Sequence, residues 1–342
     1  MSSSPIFKLV PLGFHWPTAD PFLFCAYHKD AFPEGNDESG PAASLAGRNI
    51  GMDFEIRDGW RMYHGDRVPG FPVHPHRGFE TITIVQQGLV DHADSMGAAG
   101  RYGQGDVQWM TAGKGVQHSE MFPLVNEAQP NPLLLFQIWL NLPARNKMVE
   151  PHFTMFWSEN LPRVKEQDSR GNAIKVEVTA GTYGTSAALL PPPDSWAADP
   201  ANEVAVWVID LAPDAEWTLP AASPGLNRNL YFFEGDTINI AGSDIAVLNC
   251  ISLRSDQVTA VRNGVKASRL LLLQGKPINE PVAHHGPFVM NTRQELVQAF
   301  EDYQRDHYGG WPWPRSDQVH DKRGRFARYA DGTEIQPGQN SS

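Results

Sequence analysis

Short runs in which apolar and polar residues alternate recur along the 342-residue chain, each closed by Gly, Pro, Asn or Asp. Thr81-Ile82-Thr83-Ile84-Val85 is one, and residues 133–142, 174–178, 204–211, 230–233 and 270–273 are others. A period of two puts successive side chains on opposite faces of a strand, and chains built of such runs close into sandwiches or barrels. The 30 glycines and 28 prolines suit the turns this demands and are too many for a helical protein. One segment departs from the pattern. Leu296, Val297, Phe300 and Tyr303 share a helical face, Thr292 and Glu295 make a capping-box pair ahead of them, and Gly309-Gly310 end the run. The fold class is therefore all-β, with one C-terminal helix packed against the β body.

The length fits one large or two small domains. Residues 141–151 follow a strand-rich first half, which sets a first domain at 1–150 and a second at 151–310. Residues 191–200, with their proline run, read as a loop inside the second. Gln86-Gln87-Gly88 and Phe233-Glu234-Gly235-Asp236 end strands in the two halves, as in a diverged duplication that yields two stacked barrels. Residues 34–49 are polar and Gly/Ser-rich, a surface insertion. Residues 311–342 begin with Trp311-Pro312-Trp313-Pro314-Arg315 and pass into mixed charge; they read as a surface tail, poorly ordered at its end.

Several function classes are excluded. With 28 Lys+Arg against 39 Asp+Glu the net charge is −11, which lacks the basic face a nucleic-acid binder needs. No apolar run approaches the ~18 residues of a membrane span, and residues 1–17 lack the apolar core of a signal peptide. The expected location is cytoplasmic. Cys25 and Cys250 read as small buried apolar residues rather than a disulfide framework. Residues 97–105 are Gly-rich without the Lys-Ser/Thr of a phosphate loop, and there is no nucleophile elbow.

The chemistry lies in the histidines. His74-Pro75-His76-Arg77-Gly78-Phe79-Glu80 leads into the run Thr81-Ile82-Thr83-Ile84-Val85. If one strand pairs throughout, His74, His76, Glu80, Ile82 and Ile84 share a face, and the Ile face is the buried one. Two inward imidazoles about 6–7 Å apart along a strand can share one ion. About forty residues on, Gly113 and Gly115 suit a tight turn, after which His118 and Glu120 share a face. Three imidazoles and a carboxylate make a shell for a divalent transition metal, with positions left for substrate or dioxygen. On spacing, either Glu80 or Glu120 could be the carboxylate ligand. Arg77 and Lys114 read as structural, His92 as a surface histidine of a strand or turn. His284-His285 are adjacent, so they would face opposite ways on a strand. The second half has no other paired His motif, and any barrel there should be metal-free.

The segments 74–81 and 105–113 and the triplet His118-Ser119-Glu120 resemble the signature of the pirin family within the cupin superfamily, and the likeness continues through Pro281 and Gly286-Pro287-Phe288-Val289-Met290-Asn291. It spans roughly residues 20–305. The resemblance implies two stacked cupin (jelly-roll) barrels, a metal in the first, and a degenerate second. It implies His74, His76, His118 and Glu120 as ligands, which leaves Glu80 beside the metal. The stretch from Asp20-Pro21-Phe22-Leu23-Phe24 to His74 is longer than usual, and shorter members lack the tail after Gly310. Both bear on the mouth of the pocket.

Resemblance further implies a metal-dependent dioxygenase that cleaves flavonols such as quercetin with dioxygen, Glu120 being ligand and base and Glu80 the alternative base. Another enol or catechol-like substrate fits the same site. A regulatory protein that binds a transcription factor or metabolic enzyme without turnover is the other reading. The expected metal is Fe(II), with Cu, Mn, Ni, Co and Zn compatible with the donor set.

Overall fold

The computed structural model describes residues 4–321 and 323–338. Contacts divide it into two compact units, neither contiguous in sequence. One takes residues up to 26, 138–141 and 160–279; the other takes 27–137, 142–159 and those from 280 onward.

The first unit is a sandwich of two antiparallel sheets. Its larger sheet runs, from edge to edge, Ile6–Pro11, Asn249–Leu253, Asn227–Glu234, Ser268–Gly275, Ala205–Leu211, Ala173–Ala180 and Arg163–Gln167; the smaller runs Glu216–Leu219, Thr259–Asn263, Thr237–Ile240 and Ser243–Ala246. Inward residues of both sheets form one apolar core. Trp207, Ile209, Leu230, Phe232, Leu270 and Leu272 come from the larger sheet, and Trp217, Leu219, Ile238, Ile240 and Val261 from the smaller. An interior filled this way by apolar side chains leaves no metal donors at its centre. Cys25 and Cys250 are buried free thiols, as their composition suggested.

The second unit is also a sandwich, and its core is far more polar. One sheet runs Glu334–Ile335, Phe326–Arg328, Ala99–Gly103, Leu89–Asp94, Val116–Met121 and Gly70–His76. The other pairs His152–Phe156, Asp106–Thr111 and Phe79–Gln87, then continues through residues 133–137 and 27–30. Val85, Val90, Tyr102, Met110, Val116 and Leu135 pack between the sheets. In the same interior lie His76, His92, His118 and Glu120, all buried; Thr83 reaches Glu120 from Phe79–Gln87, so Glu80, three positions away on that strand, is buried on the opposite face.

The run from His74 to Val85 is not one strand. It turns from the first sheet of this unit into the second at Arg77-Gly78, because Gly78 takes φ +85°. A Cβ at Gly78 would stand 2.0 Å from the Val289 carbonyl oxygen. Continuous alternation, which would put Glu80 on the face of His74 and His76, therefore stops at this corner.

Helix Arg293–Asp306 has the expected capping box between Thr292 and Glu295. Leu296 and Ala299 are buried, while Val297, assigned to the same face, is 56% exposed. The helix docks on the corner: Arg77 Nη1 donates to Asp302 at 2.7 Å, and its guanidinium stacks on the Tyr308 ring. Tyr303 donates to Gln117, whose amide donates to the carbonyls of His307 and Gly310.

Residues 311–321 and 323–338 are a structural part of this unit. Phe326–Arg328 extends the six-stranded sheet by pairing with Ala99–Gly103. Phe326, Ala327 and Ile335 are buried. Arg101, itself buried, holds Asp91 through two 2.7 Å bonds and donates to the carbonyls of His320, Asp321 and Arg323. Trp313 Nε1 donates to the Asp94 carbonyl and His320 Nε2 to that of His92. The end of the tail expected to be poorly ordered, residues 339–342, lies outside the described residues.

Two predictions follow from the corner and its helix. Gly78→Ala combines left-handed strain with a backbone clash and should cost about 2–4 kcal/mol of stability. Gly97→Ala, at φ +85° with nothing within 4 Å, should cost about 1 kcal/mol; chemical denaturation of the two variants isolates the clash. The Arg77 guanidinium holds the Asp302 carboxyl down at about 2. Since an unfolded aspartate titrates near ~3.9, the pair's stabilisation is complete above that pH and is lost as pH falls through about 2. Asp302→Asn should therefore lower the unfolding midpoint at neutral pH, with the gap from wild type closing as the solution is acidified below pH ~4.

Candidate metal centre

His74 and His76 stand on the Gly70–His76 strand, two residues apart, so both project from one face. The neighbouring strand, Val116–Met121, runs antiparallel, with His118 directly opposite His74 and Glu120 directly opposite Phe71. Cross-strand partners in this register project to the same side. The two strands thus converge three imidazoles and one carboxylate on a small volume. The turn before Val116–Met121 is made possible by Gly113 and Gly115: a Cβ at Gly113 would lie 2.1 Å from the Val149 carbonyl, and one at Gly115 would enter the Tyr308 ring.

One ligating nitrogen each of His74, His76 and His118 lie within 4.8 Å of one another. Nitrogens sharing one ion at about 2.1 Å stand about 3–4 Å apart, so the trio needs little inward adjustment. Ring centroids are 4.5 Å apart for His74 and His118, and 4.8 Å for His74 and His76. Burial pushes His74 down to about 4 and His76 and His118 well below their ordinary values. All three are neutral at physiological pH, the state a metal requires. His74 Nδ1 donates to the Pro72 carbonyl at 2.8 Å, which fixes the tautomer and leaves Nε2 as donor to an ion. Both ring nitrogens of buried His118 lack a hydrogen-bond partner. Orphaned imidazole nitrogens in a dry interior are costly unless something binds them. The residues present therefore fit a transition-metal ion.

Glu120 lies beside this trio without being part of it. Its Oε2 is 3.8 Å from His118 Nε2, too far for a hydrogen bond. Burial pushes its carboxyl up, while Gln137 donates to Oε2 at 2.5 Å and Thr83 to Oε1 at 3.1 Å. Glu80 belongs to the other sheet of the unit, where it is fully buried and accepts from Thr111 at 2.6 Å. His284 and His285 are exposed, on a separate two-stranded ribbon. Among the described residues no second group of three donors accompanies the trio.

His92 is a residue the sequence reading misplaced. It is fully buried, directly opposite Glu120 on strand Leu89–Asp94, with its ring 5.6 Å from that of His118. Its Nε2 faces Asp94 at 3.3 Å, and its Nδ1 has no hydrogen-bond partner. Alternation from Val90 to His92 to Asp94 was the available signal, since Val90 belongs in a core. Arg77 and Lys114 differ in the same comparison: Arg77 is buried at the corner, whereas Lys114 is exposed and pairs with Glu150.

Comparison with known proteins identifies the family. Residues 14–140 match the family described as Pirin, and residues 206–309 the family described as Pirin C-terminal cupin domain. A pirin-like protein of Caulobacter vibrioides is 39% identical over 246 residues, covering 71% of this chain and 82% of its own. Human pirin is 33% identical over 257 residues, covering 72% and 80%. The solved structure of a quercetin 2,3-dioxygenase from Acinetobacter baumannii superposes with a TM-score of 0.70 at 26% identity, covering 90% of this chain and 99% of that one. With both halves matched and its histidines gathered on two paired strands, the chain belongs to the pirin family, in a two-domain cupin architecture.

Proposed function

We propose that the protein is a mononuclear metal-dependent dioxygenase that cleaves a flavonol such as quercetin with dioxygen. The observation that carries this reading is the trio of neutral imidazoles, two of them buried and one partly so, with a hydrogen-bonded carboxylate beside it. The likeness to a structure titled quercetin 2,3-dioxygenase supports the substrate class. His74, His76, His118 and Glu120 would hold the ion, and Fe(II) is the metal proposed. When bound, the ion supplies a Lewis acid that lowers the pKa of a coordinated enol and a path for electrons to dioxygen.

The chain's own residues do the rest. Gln137 and Thr83 each grip one oxygen of Glu120, so the carboxylate presents a fixed edge toward His118. From there it can accept the flavonol 3-hydroxyl proton while still held in place. Glu80, the alternative base expected from the sequence, is tied to Thr111 on the far face of its sheet and is not placed to take that proton. His74 is half-buried, while His76 and His118 are buried, so the approach is from the His74 side. The Phe79 ring packs 5.0 Å from that of His76 and covers that side of the site.

Two outcomes test the reading. Purified protein reconstituted anaerobically should bind about one metal per chain by elemental analysis, and His76→Ala and His118→Ala should fall to a small fraction of that while keeping their far-UV circular dichroism. With metal present, quercetin should drive oxygen uptake that these variants lack by at least ~10²-fold. One metal per chain with no uptake on quercetin overturns flavonol cleavage and turns the search to another enol or catechol substrate, or to a protein partner. A metal-free variant of full activity overturns the site itself.

A further inference from the structure

Phe71 links the metal centre to a cluster of aromatic rings that the proposed mechanism leaves unused. It is directly opposite Glu120 on the paired strand, and its ring lies 6.3 Å from that of His74. Phe71 and His74 are each only partly buried although they stand among interior-facing residues, so both rings reach the surface on this side of the site. On its other side Phe71 meets His64 at 5.7 Å and Phe54 at 6.4 Å, and these two rings lie 4.9 Å apart, nearly edge to face. Phe54 is half-buried and His64 exposed.

Phe54 and His64 come from the long stretch before the His74 motif, and that stretch is built rigidly. Asp53 and Tyr63 exchange backbone hydrogen bonds, as do Arg57 and Trp60. Asp58 and Gly59, both at positive φ, close a two-residue hairpin turn. Arg48 stacks on Trp60 at 3.4 Å and donates to Asp53 and to the carbonyls of Arg57 and Trp60. Tyr63 is buried at φ +58°, a strained conformation for an aromatic residue. Its hydroxyl donates to Asp30 at 2.5 Å and accepts from His28 Nδ1 at 2.8 Å, and Arg61 grips the same Asp30 with two 3.0 Å bonds. A strained residue pinned from three sides keeps its neighbours Phe54 and His64 in place. His64 Nδ1 donates to the Gly51 carbonyl at 2.8 Å, so in the neutral ring Nε2 is left as a hydrogen-bond acceptor at the rim.

We infer that Phe54 and His64 are specificity-determining residues: with Phe71 they form a preformed wall beside His74 that takes the ring system of a multi-ring polyphenol extending away from its metal-binding hydroxyl. The inference deepens the proposed function and rests on it for the polyphenol class. A flat π-face stacks on Phe54 and meets the tilted ring of Phe71 at its edge, and a ring hydroxyl donates to His64 Nε2. A single-ring chelator would reach the metal without touching the wall.

The test uses the full chain loaded with Zn(II), which is redox-inert, so that binding is read without turnover. Quercetin and catechol are titrated by absorbance. Phe54→Ala should weaken quercetin about tenfold and catechol less than about twofold, and His64→Ala about threefold for quercetin alone. Phe54→Tyr should restore the wild-type ratio. Phe54→Leu, which keeps bulk and folding, should still lose most of the selectivity. A quercetin-to-catechol ratio within twofold of wild type in both Phe54→Ala and Phe54→Leu overturns the inference, as does a wild-type zinc form that does not prefer quercetin. Selectivity that survives where oxygen uptake fails refutes cleavage and leaves the wall standing.

Discussion

Keeping three imidazoles neutral inside a β-sandwich is the constraint on which the rest of the second unit depends. Burial holds them uncharged, and a neutral imidazole still has two nitrogens that must be used. The Pro72 carbonyl takes one of His74. Those of His118 have no hydrogen-bond partner in the protein, a need that a bound ion would meet. A buried carboxylate at the same spot needs donors of its own, and Gln137 and Thr83 provide them. The two units show the contrast within one chain. The same sandwich of sheets closes over Trp, Ile, Leu and Phe in one, and in the other over an apolar cluster that also encloses buried histidines and carboxylates. What separates them is the inward residue at a few strand positions rather than the fold.

The polar interior is supported from behind. The corner at Gly78 is clamped by Arg77 to Asp302 and stacked by Tyr308. Lys147, buried at the same corner, donates to the Gly78 and Val289 carbonyls, and burial pulls its pKa down to about 8. The strand that carries His92 and Asp94 is tied by Trp313 and His320 of the tail. These ties hold backbone, and through backbone they fix where the imidazoles point.

Much of this was legible in the sequence for physical reasons. Strands announced themselves through alternation, the helix through its Thr292–Glu295 box, and the His trio through two-residue spacing on strands. What failed was non-local. Glu80 was assigned to the face of His74 because the alternation continues through the corner; only the φ of Gly78 reveals that the chain changes sheet. His92 was placed on the surface because nothing nearby shows that its strand lies between Ala99–Gly103 and Val116–Met121. The His28–Tyr63–Asp30–Arg61 network joins residues more than thirty positions apart, which no local pattern encodes. Trp311 to Arg315 looked like a loose arm because its partners, Asp94 among them, lie more than two hundred residues earlier.

That last separation bears on how the protein is made. The unit with the histidines is opened by residues 27–137 and finished by those from 280 onward, with most of the other unit synthesised between. Contacts of such long sequence separation form late and slowly. As the chain leaves the ribosome, the apolar sandwich has all of its strands before the edge strand Phe326–Arg328 exists. The nascent histidine unit must therefore wait with the Ala99–Gly103 strand edge unpaired and the Arg101–Asp91 pair without its carbonyl partners. Until then the apolar side chains that Ala327, Ile335 and Tyr329 pack against, Phe153 among them, lack that cover.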